Sequence, residues 1–428
     1  MPAQQLWIYS IQHLIYFAAG TVVLPIAVGI YLELSQQEIA EMLQRTFFLC
    51  GITSYLQVKL GHTYPIIDGP AGLWASMFIV MAVSASGTQS GLAGLRISLQ
   101  TGIVIAGAIV MILAVTGLVT IIAKLFTPIV NGVIITLMVL QMSATFVKGI
   151  LGVTDENAGA DLKSIGIFLI TVATILFVAV YLGGFVQSIA TLIGVIVGWV
   201  LAVLVGLSVQ RPTLDNLVSL PRLWAWGTPA FDLGITIACV LSALVLLSMS
   251  FASISSMAEA VGEEVSNKTL SRSVFFHGLS TLLAGLFSVI PFMPFVSSTG
   301  VVLMTRVAAR RPFNIACLLM VVFGIFSPIA AFFASMPSTV AYATSMVIFA
   351  LILGQGLKEF KKVELGNREC YIIGLSMICG MGVMFLPQDV FATFPQTLHF
   401  ILSNGLVVGT VMSMALEQIF RKKKIKDK

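Results

Sequence analysis

The sequence predicts an all-α polytopic membrane protein with fourteen transmembrane segments in two inverted seven-span repeats. Three observations carry that prediction. Residues 164–210 run 47 positions without a charge, and about 20 apolar helical residues suffice to cross the hydrocarbon core. The third and tenth apolar segments each open on a proline- and glycine-containing break that cannot be helical. With both termini cytoplasmic, 17 Lys and Arg fall inside and 5 outside, with Arg45 left within a span, as the positive-inside rule requires.

Composition agrees. Hydrophobic residues make up 58% and charged residues 10%, with a mean hydropathy of +1.03; a soluble domain carries about 25% charged residues. Further charge-free stretches cover 69–95, 97–123, 233–258, 273–305, 313–357 and 390–416. Backbone groups find no water in lipid, so these stretches must be helical. The 37 glycines and 19 methionines fit close helix packing. Five scattered cysteines (Cys50, Cys239, Cys317, Cys370, Cys379) read as buried hydrophobes, neither a disulfide framework nor a metal site. The N-terminus lacks a basic n-region and a small-residue cleavage site, so the first helix is expected to stay in place. The net charge of +5 reflects topology and contact with anionic lipid, not nucleic-acid binding.

Taken in order, the spans fall at 10–31, 39–59, 65–86, 97–123, 126–147, 164–182, 186–209, 231–258, 274–290, 291–306, 313–335, 338–357, 370–387 and 397–418. Within the second, Arg45 is expected to pair with Glu41 one turn away. The third opens with Tyr64-Pro65-Ile66-Ile67-Asp68-Gly69-Pro70-Ala71-Gly72. The tenth opens with Pro291-Phe292-Met293-Pro294-Phe295-Val296-Ser297-Ser298-Thr299-Gly300. Each is the third span of its half. Interrupted segments at corresponding positions mark a transporter built from repeats, and an odd span number per half inverts them. The alternative is two proline-kinked helices with no functional role.

Enzyme chemistry finds no support. His13, His62, His277 and His399 stand far apart, and no phosphate loop, nucleophile elbow or haem motif occurs. The longest loop, 210–230, is too short for an ATP-hydrolysing domain. Secondary transport is therefore expected, with an ion channel as the other class. Membrane-depth ionisable groups are His13, Asp68 and Glu259. Asp68 either caps the short helix beginning near Gly72 or carries a proton. His13 either braces the core or touches ligand. Of the aromatic residues near the breaks, Trp74 and Phe251 are kept as stacking candidates; Phe292 and Phe295 read as packing.

Four stretches together carry a resemblance. They are Gln12-His13 followed by Gly20-Thr21-Val22-Val23-Leu24-Pro25; the break with Pro65 and Gly69; Arg272 through Thr281; and Ser297 through Arg306. The chain resembles the nucleobase–ascorbate transporter family, also called nucleobase:cation symporter-2, which includes xanthine, uric acid and uracil permeases. The resemblance implies a core domain from residues 1–125 and 231–336 (spans 1–4 and 8–11). It implies a gate domain from 126–230 and 337–428 (spans 5–7 and 12–14), ending in a basic cytoplasmic tail. Short β-strands are then expected in spans 3 and 10, with the base bound between them and span 8. Transport would follow from elevator-type movement, with a proton or other cation as coupling ion and no other cofactor. A plasma-membrane location and a homodimer through the gate are also implied. The expected substrate is a purine such as xanthine, uric acid, guanine or hypoxanthine. Uracil, or an anion for a carrier of the sulfate-permease type sharing the fold, is the alternative.

The departures matter as well. Gly300, Thr305 and Arg306 match the family signature, but Ser297 and Ser298 stand where an acid or amide and then Asn are usual. The carboxylate usual in span 8 falls on Ser250, or on Glu259 in a competing alignment. The expected base site is Ser250, Phe251, Val296, Ser297, Ser298, Ala71, Gly72 and Leu73. Gln12, His13, Asp68 and Glu259 are expected to couple protons or brace the core.

Overall fold

Prolines and glycines, rather than charges, decide where this chain stops being helical. The computed structural model describes residues 2–85, 91–118, 125, 127–151, 161–207, 216–305, 307–386, 390, 402 and 405–420. The first apolar stretch is two helices, α1 (Ala3–Thr21) and α2 (Val23–Tyr31). Pro25 falls in the first turn of α2, where no intrahelical donor is needed. Next comes α3 (Gln36–Lys59), which starts on a full capping box: Glu38 N–H donates to Ser35 Oγ and Ser35 N–H to Glu38 Oε2. Strand β1 (Asp68–Pro70) leads into α4 (Gly72–Ala85), and α5 (Gly91–Thr116) follows.

Further on lie α6 (Pro128–Leu151), α7 (Leu162–Tyr181), α8 (Gly184–Ser188) and α9 (Ala190–Leu204). Then α10 (Leu233–Val261), capped by Asp232, ends on Gly262 at φ 73°, a left-handed position that glycine fills without strain. It is followed by α11 (Asn267–Leu286), strand β2 (Phe292–Pro294) and α12 (Ser297–Thr305). The last elements are α13 (Arg310–Phe323), α14 (Ser327–Ala334), α15 (Ser338–Phe360), α16 (Asn367–Met384) and α17 (Gly405–Ile419).

The span expected at 10–31 lies within one apolar stretch, Gln4–Tyr31, with a one-residue lapse at Val22, whose backbone stays helical at φ −78° and ψ −44°. The continuous span expected at 313–335 is interrupted. It breaks between α13 and α14, where a Cβ on Gly324 would lie 2.3 Å from the Phe48 backbone nitrogen. There, Phe326 forms an antiparallel bridge with Val218, flanked by Ser219 N–H to Ile325 O and Ser327 N–H to Leu217 O. Among the described residues, five helical stretches are long and apolar enough to cross a bilayer unaided: Gln4–Tyr31, Gly91–Thr116, Leu162–Tyr181, Leu233–Val261 and Ser338–Phe360. Leu169, Ile170, Phe177 and Val180 on α7 are exposed, as a lipid-facing surface would be.

By contact the chain divides into two compact units, Met1–Val119 with Ala144–Ile348, and Thr120–Ser143 with Phe349–Lys428. In the first, α5 lies along α11 so closely that a Cβ on Gly107 would come 2.4 Å from the backbone nitrogen of Leu282. The same unit packs α3 on α13 and α1 on α13. In the second, α16 crosses α17, and Arg368 pairs with Glu369 at 3.2 Å and Glu417 at 3.7 Å. Cys50, Cys239 and Cys317 are buried; Cys370 is exposed and Cys379 half-buried, which corrects the reading of all five as buried hydrophobes.

Candidate substrate site

Two broken spans meet in the first unit. Pro65 and Pro70 on one side and Pro291 and Pro294 on the other deny each segment a helical ladder, so both are extended and bond to each other. β1 and β2 pair antiparallel with Asp68 opposite Pro294, Gly69 opposite Met293 and Pro70 opposite Phe292. Ala71 N–H to Pro291 O (2.9 Å) and Phe295 N–H to Ile67 O (2.8 Å) close the ribbon at its two ends. Each strand runs straight into a helix N-terminus, of α4 and of α12, and such termini carry partial positive charge.

Side chains tie the ribbon to its surroundings. Ser298 is buried, and its hydroxyl accepts from Ile67 N–H at 3.1 Å. Ser54 Oγ accepts from Asp68 N–H at 2.9 Å, and Cys50 Sγ donates to Asp68 O at 2.7 Å. Side chains alternate along a strand, so Asp68 and Gly69 face opposite ways. Gly69 faces the Phe295 ring, where a Cβ would come 2.4 Å from Cζ; Gly20 on α1 meets the same ring, with a Cβ 2.6 Å from Cε2. The ring therefore sits on two glycines. Asp68 points the other way, near the thiols of Cys50 and Cys317. Its carboxylate is fully buried and neither oxygen has a hydrogen-bond partner. It does not cap α4.

Accessibility is one-sided. Ala71, Gly72, Leu73 and Trp74 are buried, and the Trp74 indole N–H has no acceptor, which removes Trp74 as a stacking surface in this conformation. On the second strand, Met293, Phe295 and Val296 are half-buried and Ser297 is exposed. The Ser297 side chain pairs with the Tyr16 hydroxyl of α1. Both β2 and α12 pack on α10, which carries Phe251, half-buried, and Ser250, buried. Ser250 Oγ donates to Leu246 O of its own helix at 2.9 Å, so it has lone pairs but no proton left to offer a ligand. Val296 O accepts from Thr299 N–H at 3.0 Å, and Phe295 O from Ser298 N–H at 3.0 Å.

The Gln-His pair divides its work. Gln12, Tyr16 and Gly20 are four apart and share one face of α1, the face that meets Ser297 and Phe295. His13, buried, turns instead to α13, edge-on to Phe313 with centroids 5.3 Å apart. Glu259 is exposed in the last turn of α10. Gly300 lies within α12, where a Cβ would meet nothing within 4 Å. The backbone of α12 ends at Thr305; Arg306 lies outside the described residues. Sequence reasoning missed Tyr16 and the seating of Phe295. The four-residue spacing from Gln12 to Gly20 was the available signal.

A permease-family model, that of the xanthine/uracil permeases, matches residues 4–389. The chain belongs to the nucleobase–ascorbate transporter family. It is 31% identical to the Bacillus subtilis (strain 168) protein named "Putative purine permease YwdJ", over 97% of this chain and 96% of that one. It is 26% identical to uric acid permease PucJ of the same organism, over 96% and 91%. The structure of SLC26A9 matches with a TM-score of 0.68 at 14% identity, over 97% of this chain and 66% of that one. The transmembrane domain of the cyanobacterium bicarbonate transporter BicA matches at 0.62 and 15% identity, over 96% and 98%. These two likenesses establish a mostly helical transporter fold. As a family member the protein is an integral membrane permease for a nucleobase, not an enzyme.

Proposed function

We propose that the protein is a secondary active transporter of a purine-type base, such as xanthine, uric acid, guanine or hypoxanthine, and that the base binds against Phe251, Phe295, Val296 and Ser297. The carrying observation is the antiparallel meeting of β1 and β2 in a chain of this family, with Ser297 exposed at the second junction. A planar base needs in-plane hydrogen-bond partners and an apolar face to stack on. Ser297 supplies the first at a helix N-terminus, and the half-buried rings of Phe251 and Phe295 supply the second. Ser250 contributes lone pairs beneath, while Ala71, Gly72 and Leu73 form the closed floor. Ser298 serves the site by holding β1 to α12.

The same reading keeps fourteen spans, both termini cytoplasmic, a plasma-membrane location, and elevator-type movement of a core (1–125, 231–336) against a gate (126–230, 337–428) through which two copies would pair. A proton is its coupling ion. Uracil is the alternative base. A sulfate-permease-type anion carrier is a second reading, favoured by serines where the family usually has acids.

The test is labelled uptake of a panel of bases, sulfate and bicarbonate in a cell lacking its own carriers. Base uptake is expected, and Ser297→Ala should raise its Km by up to roughly tenfold, since one hydrogen bond contributes about 0.5–1.5 kcal/mol net. Uptake of sulfate or bicarbonate without any base would replace this reading by the second one. Wild-type Km in Ser297→Ala would move the site elsewhere.

A further inference from the structure

We infer that the protein carries a second ligand site, for a small carboxylate-type monoanion, in a cleft that shares no residue with the base site. The cleft, about 130 Å³ in volume, lies between the N-terminal half of α3, the segment 216–222 and the start of α14, all in the first unit. Its polar lining includes Gln37, Glu41, Gln44, Arg45, Ser219 and Arg222. The sequence places both 32–38 and 210–230 outside, so the cleft would open on the outer face.

Three of its neutral groups are tied to one another, while Gln37 Oε1 is a buried acceptor with no partner. Gln44 Nε2 donates to Ser219 O at 2.9 Å and Ser219 Oγ at 2.8 Å, and Ser219 Oγ lies 3.0 Å from Ser327 Oγ. These bonds fix the walls, and none of them involves Arg45. That side chain is only 4% exposed, yet its single ion-pair contact is Nη1 to Glu41 Oε2 at 3.8 Å, and its Nε is buried without any partner. A guanidinium has five N–H donors in a planar fork, and leaving the buried Nε–H unfilled is costly. A two-oxygen anion would fill them side by side. Arg222, exposed on the rim of the same cleft, supplies a second cation for the outer oxygen.

Charge sets the valence. Arg45 and Arg222 face Glu41, and Glu38, which also acts on Arg45, is paired with Arg96 at 3.7 Å, so the three guanidiniums exceed the two carboxylates by one. One net positive charge suits a monoanion better than sulfate or phosphate. Once bound, the anion would bridge α3 to the 216–222 segment, adding to the Gln44–Ser219 bonds already there, and so stabilise the folded carrier by mass action.

Sodium formate is the probe. Thermal unfolding of the purified full chain is followed as formate replaces chloride at constant ionic strength. A saturable rise in Tm is expected in the wild type, with the apparent affinity weakened roughly tenfold in Arg222→Gln, the factor one charge-assisted contact is worth. Arg222 is exposed, so this variant retains the fold; Arg45→Lys, which keeps the charge and loses the fork, should weaken formate as well. No saturable rise, equal affinity in Arg222→Gln, or formate protection that is abolished by saturating xanthine would each overturn the assignment. Failure here would leave the base reading untouched, because that reading rests on other residues.

Discussion

Asp68 lies on the face of β1 turned away from Phe295, buried, with no donor on either carboxylate oxygen. A fixed charge there would face the cost of removal from water with no bond to offset it. The backbone of Asp68 is held by Ser54 and Cys50, which fixes the position of the carboxyl while leaving it chemically free. We propose Asp68 as the coupling residue. Asp68→Asn should still exchange labelled for unlabelled base but lose accumulation driven by an acidic exterior; counterflow and pH-jump uptake in vesicles measure both. An unchanged pH response would make Asp68 structural. The sequence marked this residue because acids are rare at membrane depth. It could not say that the side chain turns away from the Phe295 ring, because which face of β1 meets that ring depends on the pairing with β2. The same limit hid the contrast between Ser297, exposed, and Ser298, spent on Ile67 N–H.

At the scale of elements, close approach of helices is set by missing side chains. Along α5 and α11, a Cβ on Gly107 would meet Leu282 N at 2.4 Å and Gly278 O at 2.7 Å, and one on Gly278 would meet Met111 N at 2.8 Å. Those are backbone atoms, which cannot swing aside, so a larger residue would have to part the helices. Small-residue seams of this kind let membrane helices gain dispersion contacts where no hydrophobic force drives them together. Gly107→Leu is expected to abolish a monodisperse folded peak in detergent, whereas Gly300→Ala, with open space around its Cβ, should leave the peak unchanged. Fluorescence-detected size exclusion decides it, and a normal peak for Gly107→Leu would refute the seam. Most helices were legible as charge-free runs, and both strand breaks were legible from their prolines. The break between α13 and α14 was not read, although Gly324 followed by Ser327-Pro328 is a stop and start signal. It lies in a run without charge, which hydropathy cannot divide.

For the whole molecule, the inverted-repeat architecture rests on two independent features of the sequence: the breaks at corresponding spans and the one-sided distribution of basic residues. The likeness to SLC26A9 and BicA, at 14% and 15% identity, bears on the fold and leaves the direction of insertion to the charges. Lys and Arg resist transfer across the bilayer, so short loops rich in them stay inside. Lys361, Lys362 and Arg368 fall in one such loop, while the loop 149–163 holds Asp155, Glu156 and Asp161 with Lys163 as its late basic residue. Seven crossings separate the two loops in the fourteen-span order, an odd number, so they must face opposite sides. Both Lys163 and Lys362 are exposed, which makes them fair labelling positions once the native cysteines, including exposed Cys370, are replaced. In intact cells an impermeant maleimide should label Lys163→Cys and spare Lys362→Cys until the membrane is opened. Labelling of both from the same side would require an even number of crossings between them, and the two-times-seven arrangement, with its inverted halves, would then be lost.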